Sequence, residues 1–431
     1  MKRLLLINLT LLLLLSACIQ DVPQNDPDTN LPAEKVTMQT GKVDYNPNPN
    51  YTPDEVTDLS AANNQFAFEL YQILAADQEN LVFSPYSLFQ ALVMVYAGAE
   101  GNTASQFEQV LHLPEGNPEV HRLMNALNIA LTKENPYISK EEQAELNIAN
   151  AVWVAEGLQL EQTYLDTLSE HYAATLRSLD FADAQKAADL INAWAAEQTN
   201  DKINDIAKAE MFSASTILAL TNAVYFKGSW MFPFDEENTY QGDFTLLSGE
   251  TKKVPTMVSG EEFGSYKDEN YQIVQLPYTG SSIVMDLIAP TNGDWETFSK
   301  NLTVDKLNEY LMQLRGQKLN LSLPKFRVES GMMDLIEPMQ NLGMTDVFSG
   351  KADLSGITGD QSAYVSTLVQ KAYIDVNEAG TEAAAVTLIV VLEKGMMPTE
   401  PVEMRFDKPF LFLIRDKNTG AILFIGQLMQ P

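Results

Sequence analysis

The sequence predicts an α+β fold, and three observations predict it. Segments with helical spacing gather in the first third of the chain, and alternating or β-branched runs fill its last half. Strand–helix–strand units do not recur, so a doubly wound parallel sheet is not expected. Near the C-terminus, PFLFLIRDKNTGAILFIG reads as two apolar strands joined at Asn418-Thr419-Gly420, a strong hairpin signal. No repeat or interior linker interrupts residues 58–431, which read as one domain.

The N-terminus reads as a processing signal. Lys2 and Arg3 precede an apolar run over residues 4–15, broken by Asn8 and Thr10 and short for a membrane span. Leu15-Ser16-Ala17-Cys18 comes next and resembles the bacterial lipoprotein signal. That resemblance implies removal of residues 1–17 and lipidation of Cys18 as an anchor to a membrane or cell surface. An ordinary secretory signal with an incidental cysteine is the alternative. Residues 18–57, rich in Asn, Asp, Pro and Thr, lack hydrophobic periodicity and are predicted to be a disordered tether.

The folded part is expected to begin near Asp58. Phe66, Leu70, Ile73 and Leu74 recur at helical spacing. In NLVFSPYSLFQALVMVYAGAEGNT, Ser84 is an N-cap and Pro85 suits the first helical position. The residues after Pro85 are apolar nearly all round, which predicts a buried helix stopping near Gly98. ANAVWV (149–154) reads as a buried strand, and DLINAWAAEQTNDKINDI as a helix with Ile191, Trp194 and Ala195 on one face. ILALTNAVYFKGSWMFPF reads as an apolar strand ending in a turn at Lys227-Gly228. QIVQLPY and SSIVMDLIA read as an antiparallel pair, and LNLSLPKFRVES as a single strand.

Composition excludes several functions. The net charge of −30 opposes nucleic acid or an anionic membrane face as a partner. One cysteine allows no intrachain disulfide. His112, His121 and His171 are too few and too scattered for most metal sites or triads. There is no HExxH, CxxC, P-loop or G-x-S-x-G, and Asp286 and Glu296 give no reason to pair. No enzyme is expected, and no cofactor.

Residues 378–397, EAGTEAAAVTLIVVLEKGMM, are ambiguous. With period two, Thr381, Ala383, Ala385, Thr387, Ile389 and Val391 share an uncharged face whose first half is small. A buried strand is one reading, and a helix over EAGTEAAA is another. The ending argues against both, because Glu393-Lys394-Gly395 leads into MMPTEPVE, whose prolines do not continue a central strand.

At these residues the sequence resembles the serpin family. KAYIDVNEAGTEAAAVT (371–387) is similar to the serpin hinge, with Glu378, Gly380, Thr381, Glu382 and then Ala383, Ala384 and Ala385. NLVFSPYSLFQAL resembles the shutter, with Ser84 and Ser87 in matching places. LTNAVYFKGSWMFPF supplies Asn222 to the shutter and Trp230 to the breach. GMTDVFSGKADLSGI and FDKPFLFLIRDKNTGAILFIGQLMQP match two further blocks, so the likeness spans residues 58–431.

The resemblance implies a serpin fold, with a large, mostly antiparallel central sheet, additional sheets, surrounding helices and an exposed reactive-centre loop. It implies a monomer whose partner is a serine, or cysteine, protease. That protease would be trapped as a covalent acyl-enzyme while the cleaved loop enters the sheet. Counting sixteen residues past Glu378 puts the reactive bond at Lys394-Gly395, which suits a trypsin-like target. Cleavage at Leu392, Met396 or Met397 would indicate a chymotrypsin- or elastase-like one. From Thr381 to Lys394 an extended strand spans roughly 45 Å. Many members carry a shutter histidine where this chain has Gln370, which bonds in both directions without titrating. A non-inhibitory binding module on the same fold is the main rival, and the small hinge residues favour inhibition.

Overall fold

The computed structural model describes residues 36–133, 135–139, 143–280, 282–382 and 400–431. Cys18, Ala383, Ala384, Ala385, Leu392, Lys394, Gly395, Met396 and Met397 lie outside them.

The first half runs β1 (Thr37–Gln39), α1 (Pro53–Leu74), β2 (Leu81–Phe83), α2 (Pro85–Tyr96), α3 (Gly101–Val110), α4 (Val120–Thr132), β3 (Glu145–Ala155), α5 (Gln162–Tyr172), β4 (Leu176–Leu179), α6 (Ala184–Gln198) and β5 (Leu218–Ser229). The next stretch runs β6 (Tyr240–Thr245), β7 (Thr251–Ser259), β8 (Glu262–Lys267), β9 (Tyr271–Pro277), β10 (Ile283–Pro290), α7 (Trp295–Lys300), α8 (Val304–Gln313) and β11 (Arg315–Pro324). The last comprises β12 (Phe326–Glu329), β13 (Met333–Asp334), α9 (Ile336–Leu342), α10 (Ser355–Thr358), β14 (Val365–Val376), β15 (Gly380–Thr381), β16 (Val402–Arg405), β17 (Phe410–Asp416) and β18 (Ile422–Leu428).

Local chemistry starts the helices where it should. Thr52 and Glu55 form a reciprocal capping box at α1, with Pro53 just inside the helix. Ser84 accepts from the Ser87 amide, and Pro85 opens α2, which is buried from Pro85 through Val95.

Two sheets carry the architecture. The central sheet has the order β1-β4-β3-β5-β15-β14-β12, with β13 also on β14. The second has the order β2-β18-β17-β10-β9-β8-β11-β7-β6, with β16 on β11. One apolar cluster fills the space between the helices α1, α2 and α4, the inner face of the central sheet and the second sheet. A smaller cluster lies on the outer face of the central sheet, where Ile191 and Trp194 of α6 meet Ile203, Ile206, Ala219, Ala223 and Val369.

Several sequence expectations need correcting. The folded chain begins before Asp58, because β1 pairs with β4 and α1 starts at Pro53, so part of the expected 18–57 tether is ordered structure. Lys227-Gly228 is not a turn. β5 continues through it to Ser229, and a Cβ on Gly228 would come within 2.7 Å of the Tyr278 ring packed there. LNLSLPKFRVES is two strands, β11 in the second sheet and β12 in the central one, separated at Lys325. The helix predicted from Asp189 ends at Gln198, and residues beyond it cross the outer face of the sheet. The expected pair β9–β10 and the C-terminal hairpin β17–β18 are both present.

Candidate functional site at the mouth of the central sheet

β5 and β14 lie side by side as parallel strands, with Gln370 opposite Asn222. At their upper ends they part enough to admit β15. Gly380 pairs with Ser229, and Thr381 pairs with Gly228 on one side and Val376 on the other. The start of the predicted hinge is therefore already a strand between its neighbours. Gly380 has φ +156°, a backbone conformation that side-chain-bearing residues rarely adopt. Glu382 follows at φ +50°, and Lys202 ion-pairs its carboxylate.

Charge and aromatic contacts hold this mouth. Glu378 is buried, accepts a 2.7 Å hydrogen bond from Thr239 and pairs with Lys325 Nζ at 2.7 Å. Burial alone would raise its pKa, but those two donors outweigh burial and hold the carboxyl below its ordinary value. Trp230 stacks on Tyr278 at 4.5 Å, and its indole N–H donates to the Asn377 carbonyl. Its backbone N–H donates to the Ala379 carbonyl. Thr381 is fully buried with its Oγ1 2.6 Å from the Tyr278 hydroxyl.

Lower in the same seam, Ser84, Ser87, Asn222 and Gln370 meet in one buried network. Gln370 Oε1 accepts from the Ser84 N–H at 2.9 Å, and Nε2 donates to the Ser84 carbonyl at 3.0 Å and to Asn222 Oδ1. Asn222 Nδ2 donates to Ser87 Oγ and to Asn150 Oδ1. The side-chain amide of Gln370 thus joins its own strand β14 to Ser84 at the start of α2 and to β5 without an ionisable group.

Sequence reading missed five contributors: Asn150, Tyr278, Lys325, Thr239 and Lys202. Asn150 carried a signal, since an amide inside the apolar strand ANAVWV needs a buried partner. The others answer to residues far along the chain and carried none.

Among the described residues no catalytic constellation emerges. Asp286 is buried and ion-paired with Arg415 at 2.5 Å, with Gln275 donating to its other oxygen. Among the described residues no group of three or more His, Cys, Asp or Glu side chains is placed to hold a metal, and no helix is long and apolar enough to cross a membrane.

Two of the scattered histidines do come together. His121 on α4 and His171 on α5 stack at 6.4 Å, and His121 Nδ1 lies 2.8 Å from the Tyr172 hydroxyl. Burial, with His171 adding to it, lowers the His121 pKa to about 4. Its folded pKa lies below the unfolded value of about 6.5, so its contribution is complete above pH 6.5 and is lost as pH falls from there towards 4. About 3 kcal/mol of stability is expected to disappear over that window. Urea unfolding at pH 7.5 and 4.5 checks it, and His121→Phe is expected to flatten the difference.

Comparison with known proteins agrees with this geometry. A family profile described as Serpin (serine protease inhibitor) matches residues 61–431. A serpin-like protein of Thermococcus kodakarensis is 34% identical over 440 residues, covering 100% of this chain and 99% of the relative. The leukocyte elastase inhibitor of Bos taurus is 37% identical over 386 residues, covering 86% and 99%. Among solved structures, Serpin48 of the insect Tenebrio molitor superposes with a TM-score of 0.76 at 29% identity, covering 87% of this chain and 98% of that one. Uncleaved ovalbumin also superposes with a TM-score of 0.76, at 27% identity, covering 86% and 100%. The chain belongs to the serpin family, whose members are generally protease inhibitors.

Proposed function

We propose that this serpin is inhibitory and traps a serine endopeptidase by inserting its cleaved loop into the central sheet. One observation carries the reading: the loop sequence fits the seam between β5 and β14 row by row. β15 starts that seam in antiparallel register to both neighbours. Continuing it one residue at a time brings Ala383 beside Phe226 and Ile374, and Ala385 beside Val224 and Ala372. Thr387 then lies beside Asn222 and Gln370, Ile389 beside Leu220 and Leu368, and Val391 beside Leu218, the first residue of β5. The one polar residue of this face after Thr381 meets the one polar row of the seam. The small residues meet the large ring of Phe226 and the crowded upper rows.

The opposite face fits as well. Ala384 would lie beside Tyr225 and Tyr373, Val386 beside Ala223 and Lys371, Leu388 beside Thr221 and Val369, and Val390 beside Ala219, with the ion-paired Lys371 the one charged neighbour on this face. A strand with charges or bulky groups at these rows would pay for their burial.

In the proposed reaction the protease serine Oγ attacks the Lys394 carbonyl carbon. The peptide bond to Gly395 breaks, the Gly395 amine leaves with a proton, and Lys394 stays esterified to the protease. Insertion then carries the ester away from the loop's original position before water can attack it. A lysine at the bond fits a trypsin-like specificity pocket with an acidic base. Cys18, as a lipid anchor, would keep a monomeric domain at the cell surface.

Incubation with trypsin is expected to give an SDS-stable complex and a released C-terminal fragment that begins at Gly395. A fragment beginning after Leu392, Met396 or Met397 would move the bond and the target class. Complete cleavage with no complex would overturn inhibition itself.

A further inference from the structure

Residues 36–52 lie before the matched serpin region and form a strap across three elements. β1 adds to the outer edge of the central sheet, with Thr37 opposite Ser178, Met38 opposite Arg177 and Gln39 opposite Leu176. Gln39 Nε2 also donates to the Leu158 carbonyl and Ser178 Oγ. The chain then crosses α5, where Gly41 N–H donates to Ser169 Oγ at 2.8 Å, Lys42 N–H to Asp166 Oδ1 at 2.6 Å and Asn46 N–H to the Glu170 carbonyl at 2.9 Å. It ends on α4. There the fully buried Asn125 accepts from the Tyr45 hydroxyl at 2.7 Å and donates to the Asn46 carbonyl at 2.7 Å, and Arg122 donates to the Asn50 carbonyl.

The strap crosses a line along which the molecule must part. Admitting a full strand requires β5 and β14 to separate by roughly 4.8 Å more. β14 and β12 are fixed to the body of the protein: Gln370 is bonded to Ser84 at the start of α2, and Phe326 packs on Phe410 and Phe412 of the second sheet. β5, β3 and β4 form the other half-sheet, which Asn222 and Asn150 tie to Ser87 of α2 midway along the seam but not at its lower end. α4 packs with α1 and α2, which also meet β18, and so belongs to the body. β1 grips the half-sheet while Tyr45, Asn46 and Asn50 grip α4.

The strap also sits at a telling height. β4 pairs with β3 at Trp153–Ala155, and Trp153 and Val154 lie opposite Ala219 and Leu218 of β5. β1 therefore flanks the lowest rows of the seam, ten residues or roughly 33 Å below the pairing of Thr381 with Gly228. These are the rows that an entering strand reaches last.

We propose that residues 36–52 are a brace that keeps the lower half of the central sheet closed, so that strap attachment and complete loop insertion oppose each other. The proposal rests on the insertion reading above. Each bond from the strap to α4 resists separation of the half-sheet, and two or three such bonds are worth about tenfold or more in the rate of opening.

The test compares the full mature chain with Tyr45→Phe, with Asn125→Ala and with a chain beginning at Tyr51, which keeps the Thr52 cap of α1. Each is incubated uncleaved at elevated temperature, and spontaneous loss of trypsin-complex formation is followed. The brace predicts conversion at least tenfold faster in the truncated chain and intermediate in Tyr45→Phe. It also predicts that hydrogen exchange of the Thr37–Gln39 amides rises when the loop of the intact chain is cleaved. Unchanged conversion rates, or equal melting losses for cleaved and uncleaved truncated protein, overturn the brace and reduce the strap to general stabilisation. If cleavage of the wild-type loop raises its melting temperature not at all, it is the insertion reading that has failed.

Discussion

Thr381→Arg is expected to turn the protein from an inhibitor into a substrate. Thr381 has no exposed surface, lies between β5 and β14, and shares a hydrogen bond with the Tyr278 hydroxyl. A guanidinium there would face the Tyr278 and Phe226 rings, which meet at 4.9 Å, with no carboxylate to receive it. The burial of an unpaired charge costs several kcal/mol, so the substituted hinge would stay outside the sheet. In the proposed mechanism trapping is a race between insertion and hydrolysis of the acyl-enzyme, so even about 3 kcal/mol on insertion would be worth roughly a hundredfold. The measurement is the number of inhibitor molecules consumed per trypsin inactivated. Thr381→Val, which keeps the shape and loses only the hydroxyl, is expected to remain near wild type. Full trapping by Thr381→Arg at an unchanged rate would sink the insertion mechanism.

Glu378→Lys is expected to give the largest loss of stability at the mouth of the sheet. The wild-type carboxylate is 7% exposed and receives both Lys325 and Thr239, whereas a lysine would set two ammonium groups against each other. Breaking a buried pair costs about 3–5 kcal/mol, and the low end applies because Lys325 keeps access to water. Glu378→Gln, which can still accept from Thr239, should lose about half as much. The wild-type contribution is complete above the usual carboxylate pKa of about 4.5 and fades as pH falls through the lowered folded value. Urea titrations of the three proteins at pH 7 and at pH 4 read both effects: the gap between wild type and Glu378→Gln should begin to narrow at the lower pH, whereas Glu378→Lys keeps its like-charge repulsion at both.

Much of the seam was legible because its residues sit in contiguous, patterned stretches. Ser84 and Pro85 announce a helix start, and α2 begins there, while of the period-two run only its first residue, Thr381, lies among the described residues, as part of β15. The hairpin at Asn418-Thr419-Gly420 follows from turn chemistry alone. The features that stayed hidden depend on partners distant in the chain. The strap is polar and rich in Asn and Pro, and its order comes from backbone donors reaching α5, which leave no periodic trace. β11 and β12 read as one alternating run, because alternation does not say which sheet receives each half. His121 and His171 lie fifty residues apart and meet only because α4 packs on α5.

The length of β5 has a consequence for how such a protein can diversify. Counting down from Gly228, the seam ends at Leu218, opposite Val391. If the loop inserts as proposed, the residues after Val391, Lys394 among them, would have no row of β5 to satisfy. Mutation can therefore rewrite the recognised bond without disturbing the strand that performs the capture. On that reading, the bait could change its target while the strand that carries it stays the same.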